Sequence, residues 1–169
     1  DTPRIHIDIE DGNFVSNITF GIKMIRHIRD CCDKQLDAHL MVTNPIFYID
    51  DLAALGVTAA AVHWEKMDYP MAFINKIHQA GMKCGFALNP RTGIDDVIPY
   101  LDSLDYLLLI TSEPDLADER LQLHCLNKIR RLRAANSSIS IWADGGINAD
   151  NYRQVTDSGA NTIVMGRAI

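Results

Sequence analysis

The sequence predicts an α/β fold, a (β/α)8 TIM barrel that in this chain lacks its first strand and helix and its last helix. Three observations carry that expectation. Short apolar runs alternate with amphipathic helical stretches, and the runs start every ~23 to 32 residues. The runs are mostly apolar on both faces, as buried parallel strands are. Polar residues gather at the C-terminal ends of the runs: Asp8, His39, His63, Asn89, Thr111, Asp144 and Arg167. A barrel focuses its strand ends on one mouth, which suits that last pattern better than an open doubly wound sheet. No G-x-G-x-x-G follows the first run, which lowers the dinucleotide-binding alternative.

Each element has its own signal. The first strand, RIHIDI (4–9), places His6 and Asp8 between isoleucines. LDAHLMV (36–42) is the second strand, and the helical stretch PIFYIDDLAAL (45–55) follows, closed by Gly56. AAAVHW (59–64) is the third strand. The helix PMAFINKIHQA (70–80) carries proline at its start and Gly81 just past its end. KCGFAL (83–88) and YLLLIT (106–111) are the next strands, before the amphipathic stretch RLQLHCLNKIRRLRAA (120–135). Lys128, Arg130, Arg131 and Arg133 in that stretch read as a solvated helix face. SISIWAD (138–144) and TIVMGR (162–167) are the last strands, with a helix closed by Gly159 between them. Barrels of this class run to ~250 residues, so 169 residues with seven strands and no final helix read as one partial barrel domain over 1–169.

Composition narrows the function. Sixteen Lys+Arg against 22 Asp+Glu give a net charge of −6. That argues against nucleic acid and anionic membranes as partners, because both need a basic face. No apolar run approaches the ~20 residues of a membrane span, and because DTPRIHID runs straight into a strand, no signal peptide is expected. Cys31, Cys32, Cys84 and Cys125 lack C-x-x-C spacing, so they are expected as reduced thiols of a cytoplasmic protein, without a zinc cluster.

Side chains two apart on a strand point the same way. His6 and Asp8 therefore face one side together; His39 lies near the end of the next strand, and Asp144 ends a later one. Two imidazoles and two carboxylates suit one divalent cation, Zn, Fe, Mn or Co, better than Mg or Ca. The alternative is that each is simply a satisfied polar residue at a strand end.

The segments HIDIEDGNFVSNITFG (6–21), DAHLMVTNP (37–45), HWE (63–65), ALNPRT (87–92) and ADGGIN (143–148) occur in an order that resembles the ribulose-phosphate 3-epimerase family. The resemblance spans nearly the whole chain and looks closest to a divergent branch, whose members also read DIED, TSEPD and WADGGI. It implies a metal-dependent isomerase acting on a small phosphorylated ketose. His6, Asp8, His39 and Asp144 match the family's metal ligands, and Asp8 and Asp144 its acid/base pair. One carboxylate would remove the C3 proton beside the C2 carbonyl, and the other would return a proton to the opposite face, through an enediolate that the metal stabilises. A homo-oligomer in the cytoplasm is expected. His39, Met41, Gly145, Gly146, Gly166 and Arg167 are expected against the substrate, the last four beside its phosphate. For Met41 core packing stays open, and for the glycine pair a tight strand-to-helix turn.

The chain departs from the family in places. Glu10 and Ile110 stand where the family has methionine. Glu10 could turn outward, bind a substrate hydroxyl or raise a neighbouring aspartate's pKa. It also occupies the position where related barrel decarboxylases place a lysine. The family's glycine-rich P-G-F-G-G-Q loop is replaced by SEPDLADERL (112–121), where Glu113, Asp115, Asp118 and Glu119 would repel a phosphate if they pointed inward. These differences leave room for another ketose, such as a ketohexose 6-phosphate, or for a non-catalytic metal- or ligand-binding barrel.

Overall fold

The structure is a computed structural model that describes residues 2–113 and 120–167. Among the described residues, seven strands alternate with helices and join in the order β1-β2-β3-β4-β5-β6-β7. That unbroken sequential order is the barrel class expected from the sequence, and it follows from short crossovers between neighbouring parallel strands. The chain forms two compact units, Asp1–Gly85 and Phe86–Ile169.

In the first unit, β1 (Arg4–Glu10), β2 (Gln35–Met41) and β3 (Val57–His63) are joined by α1 (Ile22–Cys31) and by a 3₁₀ turn at Pro45–Tyr48 that continues as α2 (Ile49–Ala54). The stretch read as one helix is thus two pieces; Pro45 opens the tighter one. The third strand ends at His63, and Trp64 opens a 3₁₀ turn over Trp64–Lys66. No expected stretch matches α1, which buries only Ile25. α3 (Pro70–Gln79) buries Phe73, Ile74 and Ile77. Its end is a Schellman motif: Gly81 at φ +78° donates to the His78 carbonyl, and Met82 to that of Ile77. β1, β2 and β3 pair in parallel, and Ile7, Ile9, Leu36, Leu40 and Val62 form their apolar core.

β4 (Lys83–Leu88) carries the chain into the second unit, where β5 (Tyr106–Ile110), β6 (Ser140–Asp144) and β7 (Thr162–Val164) run parallel. α4 (His124–Ala135) starts four residues later than the periodicity suggests and buries Cys125, Leu126, Ile129 and Leu132. α5 (Tyr152–Asp157) closes at Gly159 as expected. β7 is shorter than the run TIVMGR, so Gly166 and Arg167 lie beyond it. All four cysteines are free, and no described helix is long and apolar enough to cross a membrane.

The basic residues of α4 correct one expectation. Arg130 and Arg131 are exposed, Arg131 pairing with Asp95 at 2.9 Å. Lys128 instead donates to the carbonyls of Asn89 and Pro90 at 2.6 and 2.9 Å. Arg133 reaches the carbonyls of Ser137 and Ile139, both at 2.8 Å, that of Gly159 at 3.0 Å, and the Asn161 side chain at 2.6 Å. Charge alone marked both as solvated, but a long side chain also reaches loop carbonyls beyond its own helix. Arg133 ties the end of α4 to the turn after α5. Replacing it with alanine is expected to cost ~1.5–3 kcal/mol in urea unfolding. Lysine should restore only part of that, since it has no planar fork.

Candidate metal centre and the strand ends

The register between β1 and β2 builds the first half of the site. It sets His6 opposite Asp37 and Asp8 opposite His39. Opposed residues of neighbouring strands share a face, so these four polar side chains tile one side while Ile7, Ile9, Ala38 and Leu40 are buried on the other. On β3, Ala59 and Ala61 stand opposite Asp37 and His39, and their small side chains leave room for the rings.

His6 donates through Nδ1 to Asp37 Oδ1. Its Nε2 lies 3.5 Å from Asp8 Oδ1. His39 Nδ1 approaches the same oxygen at 2.9 Å. The second nitrogen of His39 lies 2.8 Å from His63 Nε2, and His63 Nδ1 lies 3.0 Å from Glu65 Oε2. Phe14 packs on His63, with ring centroids 4.4 Å apart. Burial works against ionisation of Asp8, but the neighbouring rings of His39 and His6 outweigh it and hold the carboxyl well below the usual range. Burial pushes the His63 imidazole down to about 4, against the opposing pull of Glu65.

Three predicted residues, His6, Asp8 and His39, thus meet around one carboxylate oxygen. Each ring has its far nitrogen engaged, by Asp37 or by His63, which turns the near nitrogen toward Asp8. Histidines that ligate metals are held this way, and imidazole nitrogens with a carboxylate are donors for Zn, Mn, Fe or Co. The donor set therefore fits a divalent cation. Asp37 was not among the expected site residues, although it opens the segment DAHLMVTNP; Arg4, whose Nε lies 3.7 Å from it, lies outside the matching segments. A signal existed: Asp37-x-His39 mirrors His6-x-Asp8, and a D-x-H beside an H-x-D in parallel register gives two carboxylate–imidazole pairs. Met41 ends β2 opposite Glu10 and is buried.

Glu10 is also buried, and its carboxylate accepts from the Asn17 side chain at 2.9 Å. It therefore does not turn outward. The following Asp11 organises the loop. Its carboxylate accepts from the backbone amides of Asn13 and Phe14, both at 2.9 Å, and of Thr43 at 2.7 Å.

In the second unit, Asp144 is the last residue of β6, and its carbonyl accepts from the Thr111 amide at 2.7 Å and from the Thr111 hydroxyl at 2.9 Å. Gly145 and Gly146 follow at φ +109° and +67°. A Cβ on Gly145 would stand 2.2 Å from Ser112 Oγ, and on Gly146 2.3 Å from the Leu121 amide nitrogen. Both glycines are therefore required by the turn and its packing. Gly166 has open space around its Cα and Arg167 is exposed. Glu113 is exposed and accepts from Gln122 at 3.3 Å; Asp115, Asp118 and Glu119 lie outside the described residues.

Burial raises the Asp11 carboxyl, but the amides of Phe14, Thr43 and Asn13 more than offset this and hold it below its ordinary value. A depressed carboxylate stabilises the fold fully above its unfolded pKa, ~3.9, and loses that contribution as pH falls toward the folded value. Asp11→Ala should speed hydrogen exchange at the amides of Asn13, Phe14 and Thr43 at neutral pH. In the wild type, the stability read from urea unfolding should fall as pH drops below ~4, while the folded carboxylate keeps its three amides until well below that.

The Ribulose-phosphate 3 epimerase family model matches residues 1–169. The ribulose-phosphate 3-epimerase of Schizosaccharomyces pombe is 33% identical over 168 residues, covering 98% of this chain and 74% of that protein. A structure of the tryptophan synthase alpha-subunit from Pyrococcus furiosus superposes with TM-score 0.71 at 15% identity, over 98% of this chain and 76% of that one. A mutant form of the same subunit superposes with TM-score 0.67 at 17% identity, over 87% of this chain and 62% of that one. At such identity the structural likeness speaks for the fold alone, which is that of a (β/α) barrel protein. The sequence match carries more: the chain belongs to the ribulose-phosphate 3-epimerase family.

Proposed function

We propose that this chain is a metal-dependent 3-epimerase of a phosphorylated ketose, ribulose 5-phosphate or a close analogue, with Asp8 and Asp144 as its proton-transfer pair. The observation that carries the reading is Asp8 itself, a carboxylate held ionised with a ring nitrogen of His6 and of His39 directed at one of its oxygens. Asp144 is proposed as the second carboxylate, on its place at the end of β6 and on the family match. His6, Asp8, His39 and Asp144 would hold one divalent ion, which supplies a Lewis acid for the negative charge that develops at the ketose carbonyl.

The chain's own residues do the rest. Asp8, ionised at neutral pH, is fit to accept the C3 proton of one epimer. Asp144 in its acid form donates to the other face, and the roles reverse in the opposite direction. Two carboxylates are needed because one base would return the proton to the side it came from. Asp37, through His6, fixes the ring beside Asp8. Met41 is proposed as an apolar, polarisable wall against the sugar.

The phosphate is assigned to the backbone after β6 and β7, with Gly145, Gly146, Gly166 and Arg167 around it. Gly166 supports this best: the turn geometry that explains Gly145 and Gly146 is absent there, and a backbone with open space admits an anion. The guanidinium of Arg167 would add a two-point grip on the phosphate oxygens.

The test is exchange of the C3 proton in D₂O, followed by NMR across a panel of pentulose and ketohexose phosphates. Asp8→Asn and Asp144→Asn are each expected to slow exchange ~10²–10⁴-fold while the fold is kept. Exchange at full rate in either variant would remove that carboxylate from the chemistry. Failure of every phosphoketose to exchange in the metal-loaded wild type would favour a binding barrel. Arg167→Ala should raise KM for the phosphorylated ketose and leave the dephosphorylated form unaffected. Equal affinity for both forms in the wild type would remove the phosphate site.

A further inference from the structure

Beyond the proton-transfer pair, a second line of side chains runs away from Asp8: His39, His63 and Glu65, all in the first unit. Glu65 stands in the 3₁₀ turn after β3, and His63 is the last residue of that strand. His63 is 2% exposed and lies between the rings of Phe14 and His39, with centroids 4.4 and 4.9 Å away. Its Nδ1 is 3.0 Å from Glu65 Oε2, and its Nε2 is 2.8 Å from His39 Nε2.

The direction of these hydrogen bonds follows from what each atom can do. A carboxylate only accepts, so the hydrogen between Glu65 and His63 sits on His63 Nδ1. A neutral imidazole carries one hydrogen, so His63 Nε2 is left with its lone pair. Two ring nitrogens 2.8 Å apart need one hydrogen between them, and with His63 accepting it belongs to His39 Nε2. The opposite direction would aim the lone pair of His63 Nδ1 at the Glu65 carboxylate; the assigned one turns that of His39 Nδ1 toward Asp8 instead, where the cation of the proposed function would accept it.

We propose that Glu65 and His63 are positioning residues that place the hydrogen of His39 on Nε2 and so reserve its Nδ1, the nitrogen 2.9 Å from Asp8, for a cation. This rests on the reading of His39 as a metal ligand. It goes beyond that reading by giving the H-x-E segment at 63–65 a role of its own, as a tautomer relay in which Glu65 acts only through His63. His6 receives the same service directly from Asp37. The two rings thus present opposite nitrogens to one oxygen, Nε2 from His6 and Nδ1 from His39. Phe14, from the loop after β1, covers the relay on one side, and Lys66 lies 5.8 Å from the Phe14 ring.

The experiment uses the full chain and two readouts, ¹⁵N chemical shifts of the histidine rings and Co²⁺ affinity from its visible absorption. In the wild type, His63 should show hydrogen on Nδ1 and a bare Nε2, and His39 hydrogen on Nε2. Glu65→Gln, whose amide oxygen accepts the same hydrogen bond, should keep both patterns. Glu65→Leu should abolish the preference and weaken Co²⁺ binding ~10–100-fold, the usual consequence of losing such a partner. His63→Gln offers His39 an acceptor without help from Glu65. In that background Glu65→Leu should therefore have no further effect, whereas a general packing defect would still add its loss. A wild-type His39 with bare Nε2, or a full additive loss in the double variant, would overturn the relay. Wild-type rings in the assigned tautomers but without Co²⁺ affinity would instead overturn the metal reading and leave the relay standing.

Discussion

The parallel register between β1 and β2 is the constraint on which the site depends. It sets His6 against Asp37 and Asp8 against His39. A slip of one residue would turn every side chain of β1 to the opposite face, putting its isoleucines among the carboxylates and His6 and Asp8 into the apolar layer. The register is defended from the other side: Ile7, Ile9, Leu36 and Leu40 are nearly fully buried, and each such side chain contributes roughly 1.5–3 kcal/mol by leaving water. The hydrophobic layer thereby offsets the cost of the polar one.

The polar face must still be satisfied, because an unpaired buried polar group costs about 1–3 kcal/mol. The solution is alternation of carboxylate and imidazole. Asp37 meets His6, the two rings flank Asp8, and Glu65 meets His63, which meets His39. Asp37 and Glu65 each have a ring donor beside them, and each of the three rings has an acceptor. The pattern explains why Asp37 is tolerated at 1% exposure. It also explains the alanines of β3, since a larger residue at Ala59 or Ala61 would compete with the rings for the same space.

Much of this was legible in the sequence, for physical reasons. Strand runs are short and apolar, and glycines past helix ends are conspicuous, so the order of the strands and the closures at Gly81 and Gly159 could be read directly, whereas α1, which buries only Ile25, gave no such signal. His6 and Asp8 stood out because charge between isoleucines has few bland explanations. Asp37 did not, since the register that gives it a partner is a property of two strands and appears in neither alone. Arg133 and Lys128 were misjudged for a related reason: the carbonyls they reach belong to other loops. For the glycine pair both a phosphate contact and a tight turn were open from the sequence; its positive φ angles and the nearness of Ser112 and Leu121 require glycine for the turn.

Glu10 shows how a departure from a family pattern is weighed. A third carboxylate on the polar face of β1 would repel the charge of Asp8 and of a phosphorylated substrate. In the fold, the Glu10 side chain is engaged with its own loop. Asn17 donates to its carboxylate, and its amide donates to the Thr19 hydroxyl, which in turn donates to the Asp8 carbonyl. Asp11 fastens the same loop through Asn13 and Phe14 and joins it to Thr43 after β2. The acidic pair Glu10-Asp11 therefore secures the segment that carries Phe14 over His63. A methionine could fill the space of Glu10 but could not accept the Asn17 hydrogen bond. The exchange is thus answered within the loop by a polar partner, and Glu10 gives no ground by itself for a different chemistry at Asp8. On the proposed reading, differences in substrate choice are better sought at the open backbone of Gly166 and the exposed Arg167, the residues proposed for the phosphate.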